Sequence, residues 1–132
     1  MKSKALCVAL FLSAITAPAS AQQVTPAPPG PDVPAVCAKF FGSWVGDWSY
    51  IGRQWLRVVK VGASCTVQYS YLGSDAEPKS SQYYLSSIEN GMLSMKCGSS
   101  TCTFKANGDE LYAAYSDPQG RANNAVFARY KP

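Results

Sequence analysis

The feature that most constrains this chain is the spacing of its turn signals. Asn90-Gly91 and Asn107-Gly108 are both two-residue hairpin signals, because each position tolerates the positive φ that a type I′ turn demands. Gly62-Ala63-Ser64 and Asp117-Pro118-Gln119-Gly120 also read as turns, and Leu72 to Lys79 is the longest loop. Between these signals lie short strand-like segments: Phe40 to Tyr50, Trp55 to Val61, Cys65 to Tyr71, Ser81 to Ile88, Met92 to Cys97, Cys102 to Ala106, Glu110 to Ser116 and Ala125 to Lys131. No stretch carries a helical period. The chain is therefore read as all-β. Sequential hairpins set each strand beside its predecessor, and closing the sheet on itself removes both unpaired edges. The expected architecture is an antiparallel up-and-down eight-stranded β-barrel, with a two-sheet β-sandwich as the alternative.

Length and the N-terminus bound the rest. A chain of 132 residues has room for one domain. Lys2 and Lys4 precede an apolar run from Ala5 to Ile15, and Ala19-Ser20-Ala21 offers small residues for cleavage, so residues 1–21 read as a signal peptide. Residues 22–36, with Pro26, Pro28, Pro29, Pro31 and Pro34, read as a stiff, disordered leader. Residues 37–132 form the barrel domain. Twelve basic residues lose Lys2 and Lys4 with the signal, leaving ten against eight acidic ones, a net charge of +2. The basic residues are scattered, which sets nucleic acid and membrane surfaces aside as partners. The protein is expected to be exported, in a periplasm or outside the cell.

Cysteine usage agrees with export. Removing Cys7 leaves Cys37, Cys65, Cys97 and Cys102, an even number suited to two disulfides. Spacing favours pairing Cys97 with Cys102 across a short turn, which leaves Cys37 for Cys65. The chain has no histidine and no Cys-x-x-Cys pair, so neither metal nor any other cofactor is expected.

The opening strand places Trp44, Gly46, Trp48 and Tyr50 two apart, on one face if extended. Phe40-Phe41-Gly42-Ser43-Trp44 resembles the F-x-G-x-W opening of lipocalins, and Gly42-Ser43-Trp44 is similar to the first strand of avidin-like barrels. The resemblance implies a calycin-like build in which Trp44 packs at the closed end beneath a basic side chain, here Arg129. Such a cation and ring pair contributes ~1 kcal/mol. The polar residues that grip biotin in avidin-like proteins have no counterparts by position. Arg129 and Tyr130 are adjacent and point to opposite faces, unlike the Arg-x-Tyr ending of fatty-acid-binding proteins.

Catalysis lacks proton carriers. With no histidine and with oxidised cysteines, only carboxylates remain, and those of the barrel domain other than Asp47 lie in or beside predicted turns. The protein is expected not to be an enzyme, an isomerase or hydrolase being the reading that an inward acid would require. Its aromatic content is more informative. Trp48, Tyr69, Tyr71 and Tyr115 share the apolar face of their strands, with Val67, Leu111 and Ala113, and could line a cup for a small apolar or aromatic ligand. Bulky side chains can equally fill a narrow eight-stranded barrel. Arg57 is in phase with Trp55, Val59 and Val61, whereas Lys60 is in phase with Leu56 and Val58, leaving that strand's inward face open. An inward Arg57 would join the ligand site; an outward one would lie on the surface. A second functional class is a protein-interaction module, such as a periplasmic enzyme inhibitor, using loop 72–79. The signal peptide makes the first prediction: the mass of the exported protein is expected to match a chain starting at Gln22, and an intact N-terminus at Met1 would refute cleavage after Ala21.

Overall fold

A computed structural model describes residues 24–79 and 82–132. The expected signal peptide lies outside the described residues. Eight strands follow in order: β1 Gly42–Trp48, β2 Gly52–Val61, β3 Thr66–Gly73, β4 Tyr84–Glu89, β5 Met92–Cys97, β6 Ser100–Asn107, β7 Glu110–Ser116 and β8 Ala122–Arg129. A single helical turn, α1 Ala35–Ala38, precedes them. Each strand pairs antiparallel with its neighbour in sequence, and β1 pairs with β8 through Trp44↔Arg129, Val45↔Ala128 and Gly46↔Phe127. The sheet is a closed up-and-down barrel, not a sandwich.

Alternation sorts each strand into inner and outer faces. Trp44, Leu56, Val58, Val67, Leu93, Phe104, Leu111 and Phe127 all point inward and are buried. Phe104 and Phe127 meet edge to face at 5.3 Å. Gly46 makes this packing feasible. A Cβ there would fall against the Phe127 ring, so glycine lets Phe127 lie flat across β1 at the register Gly46↔Phe127.

In β2 the register shifts between Val58 and Lys60. One extra residue, Val59, swaps the phase of the remainder of the strand. Leu56 and Val58 face inward before the bulge and Val61 faces inward after it, whereas Trp55 and Arg57 face outward. The bulge is the reason neither simple phase fitted the strand.

One end of the barrel is plugged. Phe40 is fully buried there, and the Trp44 indole N–H donates to the Phe40 carbonyl at 2.9 Å. The Arg129 guanidinium stacks over Trp44 at 4.1 Å from the ring centroid. It also donates to the carbonyls of Phe41 at 2.8 Å and Lys39 at 3.1 Å, and lies 3.4 Å from an Asp109 carboxylate oxygen. Gly42 has a φ of 121° and leaves the space that the guanidinium occupies, since a Cβ would stand 2.8 Å from Nη1. The Cys37–Cys65 disulfide fastens α1 to the β2–β3 turn of this end. Constraining the unfolded chain over that separation of 28 residues contributes on the order of 3 kcal/mol.

Two local expectations change. Tyr50 leaves the face of Trp44 and Trp48, because it sits in the β1–β2 turn with a φ of 68° and is fully exposed. The segment expected as a disordered leader makes defined contacts. Ala27 N–H donates to the Val59 carbonyl at 2.9 Å, Val33 packs on the core, and Pro34 precedes α1. The bulge provides the reason, because a bulged residue is left out of the ladder and its carbonyl can take another donor.

Replacing Arg129 with Met is expected to lower unfolding stability by about 2–3 kcal/mol in urea titrations, through the lost charged hydrogen bonds and ring contact. Arg129→Lys should recover only part, since an ammonium cannot span both carbonyls and the ring.

Candidate functional site

The opposite end of the barrel is a shallow mouth. It is bounded by the β1–β2 turn, the β3–β4 loop, the β5–β6 turn and the β7–β8 turn. A cavity of about 290 Å³ opens here between Trp48, Tyr71, Tyr115, Gln54, Ile51 and Gly98. The floor is made of rings: Trp48 lies 5.8 Å from Tyr115 and 5.9 Å from Phe127, and Tyr71 lies 6.4 Å from Phe104. Below this layer the interior is filled with side chains, so the site is a cup at one end and not a hollow barrel.

The disulfide between Cys97 and Cys102 braces the same end. It runs diagonally: Cys97 is in register with Ser100 and Met95 with Cys102, and Cys97 is one of the residues lining the mouth. Strand β6 begins at Ser100, two residues before the expected start, so the turn is Gly98-Ser99 alone. On the far rim, Asp117 holds the β7–β8 turn by accepting from the backbone N–H groups of Gln119 at 3.0 Å and Arg121 at 2.8 Å, and from the Arg121 guanidinium at 2.5 Å. Desolvation pushes its acidity the other way, but the Arg121 and Gln119 contacts prevail and keep the carboxyl below its usual range.

Trp48 and Tyr71 are joined directly. The Trp48 indole N–H donates to the Tyr71 phenol oxygen at 2.8 Å. Among the described residues the Tyr71 O–H donates to no group, so its proton is available towards the mouth. Burial pushes this phenol up to about 12, against the opposing effect of the Trp48 N–H, which favours the phenolate. Tyr71 is therefore a neutral hydrogen-bond donor over the whole physiological range.

Of the residues proposed from sequence, Trp48, Tyr71 and Tyr115 are brought together at the mouth. Tyr69 lies one pleat deeper, buried, with its ring 5.8 Å from that of Tyr84. It lines an adjoining cavity of about 250 Å³ with Tyr71, Tyr84, Lys96 and Gly98. Tyr71 and Gly98 are common to both spaces. Arg57 does not join them. It is on the outer face of β2, in register with Ser43 and Ser70, and pairs with Glu77 at 2.6 Å.

The loop proposed for protein contacts is tied to that outer face. Trp55 donates to the Ser74 carbonyl at 2.9 Å, Ser74 N–H to the Arg53 carbonyl at 3.3 Å, and Glu77 takes Arg57. Trp55 is covered further by the Tyr130 ring at 4.9 Å. This part of the loop is a strap across β2 and not a protrusion.

Sequence reasoning missed Gln54, Tyr84 and Lys96. Tyr84 had a signal, since it is two pleats from Ile88, the buried residue of the same strand. Lys96 had none, because its phase is outward and only the separation of β4 from β5 brings it to a cavity.

No family model, curated protein or solved structure matches this chain. The eight-stranded antiparallel barrel is compatible with a calycin-like fold.

The Tyr71 environment predicts an alkaline transition. A phenol raised on folding stabilises the protein fully below its ordinary value of 10 and loses that contribution as pH climbs towards about 12. Stability is expected to fall across this window, and ultraviolet titration should show several late-ionising tyrosines, of which Tyr71→Phe removes the one near about 12. In Trp48→Phe the same tyrosine should ionise later still, because the N–H that favours the phenolate is gone.

Proposed function

We propose that this is an exported binding protein whose mouth takes up a small, partly apolar, aromatic ligand. The observation that carries the reading is the Trp48–Tyr71 bond within a ring-lined cavity. It provides apolar ring faces, and it commits the phenol oxygen as an acceptor while leaving its O–H for a ligand acceptor. Gln54 adds an amide at the same opening. The two disulfides support an oxidising compartment, and among the described residues no helix is long and apolar enough to cross a membrane.

The reading is one of binding and not of catalysis. It is supported by where the described carboxylates with ionic partners are spent: Asp47 with Arg53, Glu77 with Arg57, Asp109 with Arg129 and Asp117 with Arg121, none of them lining the mouth cavity. The lipocalin-like or avidin-like kinship implied by Phe40 to Trp44 is part of the proposal. A protein partner is the second reading, favoured by Tyr50, Ile51 and Leu72, which expose apolar surface around the rim.

Naphthylethanol, an uncharged ring with one hydroxyl, serves as the probe. It is expected to quench tryptophan emission on binding, and Tyr115→Ser should weaken it about tenfold through lost ring contact and burial. Failure of uncharged aromatic probes to bind, combined with recovery of a protein partner that Ile51→Asp abolishes, would transfer the function to the rim.

A further inference from the structure

The ladder between β4 and β5 is short. It contains only Ser87↔Ser94, Ile88↔Leu93 and Glu89↔Met92. Extending that register would set Ser86 against Met95, Leu85 against Lys96 and Tyr84 against Cys97, yet none of these forms a ladder pair across this seam, and the Ser86 hydroxyl donates instead to the Ser94 carbonyl. The strands part there. Their separation opens the cavity of Tyr69, Tyr71, Tyr84, Lys96 and Gly98 sideways into a cleft of about 490 Å³ in the barrel wall.

The chemistry of this space is one-sided. Among the described residues, three phenols and one ammonium line the inner cavity, and neither it nor the outer cleft has a carboxylate in its lining. Lys96, like every other described lysine, forms no ion pair among the described residues, and it is its place in the lining that singles it out. Burial, and the neighbouring Tyr84 phenol, raise Tyr69 above its ordinary value, and burial raises Tyr71. These phenols therefore offer protons and not negative charge at neutral pH. Rings form the walls and donors form the polar points, with one positive charge to balance. A singly charged, planar anion fits this set, whereas a phosphate dianion would call for more than one cation.

Resting on the reading of the mouth as an aromatic-ligand site, we propose that the seam between β4 and β5 is an anion subsite, in which Lys96 and the hydroxyls of Tyr71 and Tyr84 hold the carboxylate of an aromatic acid. Tyr71 is the shared wall. The ligand ring lies against Trp48 and Tyr115 in the mouth, and its carboxylate passes beside Tyr71 and Gly98 into the seam. Gly98, with a φ of 69°, turns the β5–β6 hairpin beside that passage and lines both spaces. The protein is thereby selective for aromatic acids over alcohols and amines of the same shape.

Three probes with one ring system test this: naphthylacetate, naphthylethanol and naphthylethylamine, titrated into the mature chain by calorimetry. Naphthylacetate is expected to bind about tenfold more tightly than naphthylethanol, as a charge-assisted contact implies, and the amine most weakly. Lys96→Met should bring the acid down to the affinity of the alcohol while leaving the alcohol unchanged; Lys96 is exposed, so the fold should persist, with circular dichroism as the check. Tyr84→Phe should weaken the acid several-fold and not the alcohol. Equal binding of acid and alcohol, or a Lys96→Met loss that is the same for both, overturns the anion subsite and leaves the mouth reading standing. Absence of binding by all three overturns both.

Discussion

The barrel depends on the stacking of Arg129 over Trp44. Closing a sheet requires its first and last strands to meet, and here the β1–β8 contact is the shortest of the seams that reach the N-terminal half of the chain, three residue pairs long. One guanidinium reinforces it from several directions. It lies on the ring of β1, takes two carbonyls of the segment that plugs the end, and meets Asp109 of the β6–β7 turn. Tyr130 N–H adds a bond to the Ser43 carbonyl beyond the last ladder pair. A buried indole and a partly buried cation thus join the two chain ends, where hydrogen bonds of the ladder alone would be few.

Filling one end decides what the other can do. An eight-stranded barrel is only wide enough for side chains, and the rings of Trp44, Phe104 and Phe127 occupy most of that width. What remains is the last layer, where Trp48, Tyr71 and Tyr115 line the mouth. The Cys97–Cys102 bridge and the Asp117 turn brace that layer from opposite sides. Recognition can then rest on pre-positioned rings at a small cost in ordering.

The outer face of β2 is a second, structural region. Trp55 and Arg57 point away from the core, yet neither is freely solvated, because Tyr130, Ser74 and Glu77 lie over them. Sequence phase leaves Arg57 open between ligand contact and surface. The structure assigns it to a half-buried ion pair whose acid comes from loop 72–79, a contact 20 residues away in sequence.

The sequence by itself determined the all-β class and the succession of hairpins, because period-two alternation and Asn-Gly turns are local properties of the backbone, whereas the choice of a closed barrel over a two-sheet sandwich rests on the pairing of β1 with β8. It also reached the Cys37–Cys65 and Cys97–Cys102 pairs from parity and spacing, and Arg129 over Trp44 by resemblance. Trp48, Tyr71 and Tyr115 were legible as candidates since each lies on the apolar face of its own strand. Tertiary structure decided the remainder. The bulge at Val59 inverts a phase that no count along β2 could place, and Tyr50 turns out of its strand at a positive φ. The parting of β4 from β5 brings Lys96 beside Tyr84, a juxtaposition that depends on where a ladder stops and not on the order of residues within either strand. Alternation is written residue by residue, whereas a gap between strands exists only once the barrel has closed.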